Sequence, residues 1–167
     1  MIIKKFAARI SIAAILTCAA AAAGAQINTE LHFAEDLTAT ARQARQQRAP
    51  IMIVFTQASC RYCHAAKRDY LVPMQNSAEL RDKVIIREVD VDSGASLRDF
   101  EGQTTSQSEF SKRYQVKRVP TVIVMDDQGK PAASPIVGLS SADFYALYLQ
   151  QAIEEGLIRM RSAQREH

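Results

Sequence analysis

The tightest constraint in this chain is a junction. The apolar run Ile51-Met52-Ile53-Val54-Phe55 is followed, after Thr56-Gln57-Ala58-Ser59, by Cys60-Arg61-Tyr62-Cys63 at the head of a stretch of helical composition reaching about Leu71. A continuous β-rich apolar run of this length is the pattern of a central strand covered on both faces. A staple disulfide usually closes a long loop, because a short closure constrains the unfolded chain little. Cys-x-x-Cys is therefore a poor staple and a good reaction centre. At a helix N-terminus the unpaired N–H groups and the positive end of the macrodipole favour thiolate over thiol. In Cys-x-x-Cys motifs so placed, the thiol titrates at roughly 3.5–7.5 instead of ~8.5. Cys60 is the predicted attacking sulfur, and Arg61 adds positive charge beside it. One helical turn brings Cys63 back next to Cys60, where it can resolve a mixed disulfide.

The 167 residues divide unevenly. Residues 1–25 read as a secretory signal peptide: Lys4, Lys5 and Arg9 precede the apolar run Ile10 to Ala23, and Ala23-Gly24-Ala25 fits a small-x-small cleavage site before Gln26. The run falls short of the ~20 apolar residues that span a bilayer, so no stable membrane insertion is expected after cleavage. Cys18 goes with the discarded leader. Residues 26–167 are expected to form one domain, exported to the periplasm, in which 18 Asp and Glu balance the 18 Lys and Arg that remain once the leader's three are removed. The basic balance of the whole chain thus argues nothing for nucleic acid.

The remaining signals run in alternation. Ile27, Leu31 and Phe33 alternate with polar residues as a short edge strand, and Glu35 to Arg48 has helical spacing, ended by Pro50. Pro73 is expected to break the Cys60 helix, with Asn76 and Glu79 capping a new one. Val84 to Val91 reads as a strand and Ser93 to Thr105 as an inserted loop. Ser106 with Glu109 caps a helix to about Tyr114. Val119 to Met125 and Pro135 to Gly138 read as strands around the turn Asp126 to Gly129. Ser140 is expected to cap a long helix bearing Phe144, Leu147 and Tyr148, with Leu149, Ile153 and Leu157 on the adjoining stripe.

This order resembles the thioredoxin superfamily. Three pieces carry the likeness: Phe55 to Cys63, Tyr114-Gln115-Val116-Lys117-Arg118-Val119-Pro120-Thr121, and Ile136-Val137-Gly138-Leu139-Ser140. The fold implied is α/β, a central mixed β-sheet flanked by helices with Cys-x-x-Cys at a strand-to-helix junction. The sequence looks most like the small periplasmic thioredoxins of sulfur metabolism or periplasmic thiol maintenance. It departs from them in having Ser59 where Trp is usual and Arg61-Tyr62 between the cysteines.

The resemblance implies a thiol-disulfide oxidoreductase acting on protein cysteines, with no cofactor and with a membrane electron carrier as its redox partner. A reductase is favoured over an oxidase, since the large helical insertion of periplasmic oxidases is missing. Arg61 and Tyr62 would meet the substrate. By the same resemblance Pro120 is cis and faces the cysteines, so Val119 offers its backbone to an extended substrate segment. The acid that thioredoxins carry on the strand before the cysteines is replaced by Val54. Glu88 falls where a buried lysine usually partners that acid, and it is a candidate buried proton acceptor; its other reading is a solvated strand-end glutamate.

Other chemistry stays open. Cys60-Arg61-Tyr62-Cys63-His64 also satisfies the c-type haem attachment pattern, although small c-type cytochromes are mostly helical and this motif is flanked by β-rich runs. A structural zinc would need two more ligands, and His32, His64 and His167 are not at paired-ligand spacing. A peptide-binding module without turnover would share the fold.

Overall fold

A computed structural model describes residues 28–139 and 142–163. The leader, Cys18, Ser140 as a helix cap and His167 lie outside the described residues. Helix α1 is Leu37–Gln47, begun by the Asp36 carboxylate accepting the Ala39 amide at 2.8 Å. It stops when Arg48 turns left-handed (φ 56°), two residues ahead of the Pro50 expected to end it.

Strand β1, Ile51–Thr56, is buried at all six positions. Its residues alternate between two cores. Ile51, Ile53 and Phe55 pack with Leu37, Ala41 and Ala44 of α1 on one face. Met52 and Val54 pack on the other with Ala66, Leu71 and the C-terminal helix. β2, Ile85–Asp90, lies parallel to β1, with Val54 opposite Glu88 and Thr56 opposite Asp90. On the far side β5, Thr121–Met125, runs antiparallel, and β6, Ile136–Val137, completes the sheet in the order β2-β1-β5-β6.

Several expectations are corrected. The helix after Cys60 does not break at Pro73: α2, Arg61–Ala66, passes through a π-turn, Lys67–Leu71, into α3, Val72–Asn76. Pro73 lies in the first turn of α3, and the wider i→i+5 bond from the Val72 amide to the Lys67 carbonyl carries the chain past it. No helix starts at Asn76. Its side-chain oxygen, the atom a cap would use, already accepts the Asn28 amide at 3.0 Å, and residues 78–83 form hydrogen-bonded turns anchored on Ser77. Ile27 of the expected N-terminal strand lies outside the described residues, and what is described of that strand is one bridge between Phe33 and Glu88, with the Phe33 side chain exposed.

The segment read as an inserted loop is a hairpin, β3 at Ser96–Arg98 and β4 at Thr104–Ser106, leading into α4, Gln107–Arg113. The Ser106 hydroxyl accepts the Glu109 amide at 3.1 Å, the cap expected there. α5, Ala142–Ala163, buries Tyr145, Leu149, Ala152, Ile153 and Met160. Of the two stripes read on this helix, the one with Leu149 and Ile153 is inside, whereas Phe144, Leu147 and Tyr148 face outward. The sheet lies close beneath this helix: a Cβ on Gly156 would stand 2.7 Å from Pro50 Cβ and 2.8 Å from Val124 Cγ1.

Asp99 holds the hairpin turn. Its buried carboxylate accepts the Glu101 and Gln103 amides at 3.0 and 2.8 Å and the Arg113 guanidinium at 2.6 Å. Burial pushes this acid up, but the Arg113 bond and the two amides outweigh burial and hold it below the ordinary carboxylate value. A lowered folded value means stability that is present above the unfolded value and lost as pH falls through the folded one. Asp99→Asn should therefore cost about 2 kcal/mol at pH 7 in urea unfolding. The gap to the parent should stay full down to about pH 4 and close below it; a gap that does not change with pH would count against this ion pair.

Candidate active site

The site forms where β1 ends and α2 begins. Cys60 is the N-cap of α2, with extended backbone (φ −86°, ψ 103°), and its carbonyl accepts the Cys63 and His64 amides at 3.0 and 3.2 Å. Its Sγ also accepts the Cys63 amide at 3.1 Å. Cys60 and Cys63 are joined in a disulfide with Cα atoms 5.2 Å apart. The two sulfurs are not equivalent, since Cys60 is half-buried and Cys63 is 1% exposed.

Opposite the pair stands the loop before β5. Tyr114 anchors it by packing on Phe55 and Phe110, with ring centroids 6.2 and 4.9 Å away, and by donating its hydroxyl to the Gly129 carbonyl at 2.9 Å. Val116 and Val119 pack against the core. The Val119–Pro120 peptide bond is cis, and the Val119 carbonyl oxygen lies 3.8 Å from Cys60 Sγ. Of the residues singled out in the sequence, Cys60, Cys63, Val119 and Pro120 therefore meet at one place. Arg61 and Tyr62 lie exposed on the rim, the guanidinium 4.7 Å from the Tyr62 ring centroid and donating to its hydroxyl at 2.7 Å.

Glu88 is 2% exposed, which removes its reading as a solvated strand-end residue. It lies beside Val54, on the face of the sheet that α2 covers. A buried carboxylate needs partners. Here Thr56 Oγ1 donates at 2.6 Å and Lys67 Nζ at 2.9 Å, both to Glu88 Oε1. Sequence reasoning missed both partners. Lys67 follows Cys63 by four residues, which puts it on the same helix face, and that spacing was the available signal.

His64 is exposed, with Nε2 2.9 Å from the Ala58 carbonyl oxygen. Among the described residues no group of three or more His, Cys, Asp and Glu could hold a metal, and no helix is long and apolar enough to cross a membrane.

The sequence matches the family model of the thioredoxin-like domain over residues 37–153. The chain belongs to the thioredoxin-like family. Its Cys60–Cys63 disulfide at the strand-to-helix junction makes it a thiol-disulfide oxidoreductase. The two cysteines of the haem-attachment pattern at residues 60–64 are bonded to each other, and the histidine that follows them is exposed. Similar solved structures include the periplasmic thioredoxin SoxS from Paracoccus pantotrophus in its reduced form, 15% identical, covering 64% of this chain and 97% of that one with TM-score 0.46. Thioredoxin O2 from Arabidopsis thaliana is 19% identical over 75% of this chain and 97% of its own, with TM-score 0.48. Mitochondrial thioredoxin 3 from Saccharomyces cerevisiae is 18% identical over 75% and 94%, with TM-score 0.49. No curated protein matches the sequence.

Proposed function

We propose that this thioredoxin-like protein is exported to the periplasm by residues 1–25 and reduces disulfides in protein substrates, taking its electrons from a membrane-bound dithiol carrier. The observation that carries the reading is the asymmetry of the pair: Cys60 is half-buried at a helix cap beside the Val119 carbonyl, and Cys63 is enclosed beneath it.

In the reduced protein the Cys63 amide and the helix N-terminus stabilise the Cys60 thiolate. That thiolate attacks a substrate disulfide. The Cys60–substrate bond forms, the substrate S–S bond breaks, and the leaving sulfur takes up a proton. Cys63 then gives up its proton and attacks Cys60 Sγ, which breaks the mixed disulfide. Two electrons have passed to the substrate, now a dithiol, and the protein is left with the Cys60–Cys63 disulfide; the carrier's dithiol restores it.

Val119 offers its backbone to the substrate segment, with Pro120 holding that edge against the sulfurs and Arg61 and Tyr62 on the rim. Glu88, charge-balanced by Lys67, is the acceptor for the Cys63 proton. The reductase direction is supported by the segment between β2 and β5, which is a hairpin and one seven-residue helix and carries no large helical insertion.

Equilibration with glutathione tests the direction. The reductase reading expects a potential near about −270 mV together with insulin disulfide reduction, whereas a value near about −120 mV would make the protein an oxidant.

A further inference from the structure

Two walls of opposite charge flank the reactive sulfur, and the sheet order decides which lies where. β1 carries Cys60 from its C-terminal end, with β2 on one side and β5 on the other. On the β2 side Asp90 and Asp92 stand at the strand end. Asp90 Oδ1 accepts the Asp92 amide at 3.0 Å, and Asp92 Oδ2 accepts the Gln57 side chain at 2.5 Å.

On the β5 side the loop is turned so that its cations face out. Val116 and Val119 go to the core, and the Thr121 hydroxyl donates to the Arg118 carbonyl at 2.7 Å. Lys117 and Arg118 are left exposed, immediately before the residue whose carbonyl lies 3.8 Å from Cys60 Sγ. Arg61 adds a third exposed cation directly after Cys60, oriented by its bond to Tyr62. Among the described residues none of the three is paired with a carboxylate, although Lys67, Arg68, Lys112 and Arg113 all are. Unpaired cations beside a reaction centre raise the local concentration of anionic partners and speed their encounter.

We infer that Arg61, Lys117 and Arg118 select substrates whose reactive cysteine lies in an acidic segment, docked along the Val119 edge with its carboxylates on the β5 side. This rests on the proposed reduction of protein disulfides. The acids of the β2 wall repel a second negative stretch, so the site also sets which side of the substrate cysteine carries the charge.

The test uses the reduced protein and two synthetic peptides with the same intramolecular disulfide, flanked by three Glu or by three Lys. Each reduction rate is divided by the rate of the same protein with the neutral 2-hydroxyethyl disulfide. The acidic peptide should react about tenfold faster at low salt, and the difference should shrink to about twofold at ~0.5 M salt, where the Debye length falls to about 4 Å. Lys117→Glu/Arg118→Glu should reverse the preference. Equal rates for the two peptides at low salt, or a preference that survives the double substitution, would overturn the inference. If the wild-type protein reduces the neutral disulfide but does not discriminate between the peptides, only the charge selection fails. If it does not reduce the neutral disulfide, the proposed function fails with it.

Discussion

Cys60→Ser should abolish disulfide reduction, a loss of more than about a thousandfold in turnover, because the only reachable sulfur of the pair is gone. Cys63→Ser should behave differently. It keeps the half-buried nucleophile, so one round of attack proceeds at a near-normal rate and then stalls as a mixed disulfide that nothing resolves. A burst of one substrate thiol per protein, followed by almost no turnover, is the expected trace for Cys63→Ser, with neither burst nor turnover for Cys60→Ser. Matching traces from the two variants would mean that the exposure difference does not decide which sulfur attacks.

Lys67→Met should be the most destabilising single change near the site, at about 3 kcal/mol. The cost comes less from the lost attraction than from the Glu88 carboxylate, left buried with Thr56 as its remaining partner. Adding Glu88→Gln to Lys67→Met should recover most of the loss, since a buried amide needs no counter-charge. Denaturant midpoints of the two single variants and the double variant give the coupling directly. Glu88→Gln alone separates structure from chemistry. It should slow release of the mixed disulfide more than its formation, whereas unchanged release between about pH 6 and 8 would leave the pair a purely structural part.

What could be read from the sequence follows from how local each signal was. The all-apolar stretch from Ile51 to Phe55 needs no partner to declare a central strand, and Cys-x-x-Cys directly after it fixed the reaction centre. Ser106 with Glu109 marked a helix start that the structure keeps. Asn76 with Glu79 gave an equally good local signal and failed, because the Asn76 side chain is engaged by Asn28, 48 residues away. Pro73 was misjudged for a similar reason: a π-turn, which no residue in the sequence announces, absorbs it. The Gly, Ser and Thr content of the 93–105 segment hid the hairpin, whose turn is organised by the buried Asp99 carboxylate through partners that no local pattern marks. On α5 both apolar stripes had helical spacing. Only the approach of the sheet at Gly156 decides that Leu149 and Ile153 go inward. Glu88 could be singled out but not placed, because its burial depends on Lys67 crossing from another element to meet it.

The exchange account is tested most directly by finding which sulfur carries the adduct. Cys60→Ser and Cys63→Ser would each be incubated with a protein disulfide substrate, quenched in acid, digested, and mapped by mass spectrometry. The account predicts a substrate cysteine bonded to Cys60 in Cys63→Ser and almost no adduct in Cys60→Ser. An adduct on Cys63 in Cys60→Ser, formed as fast as the other, would contradict it.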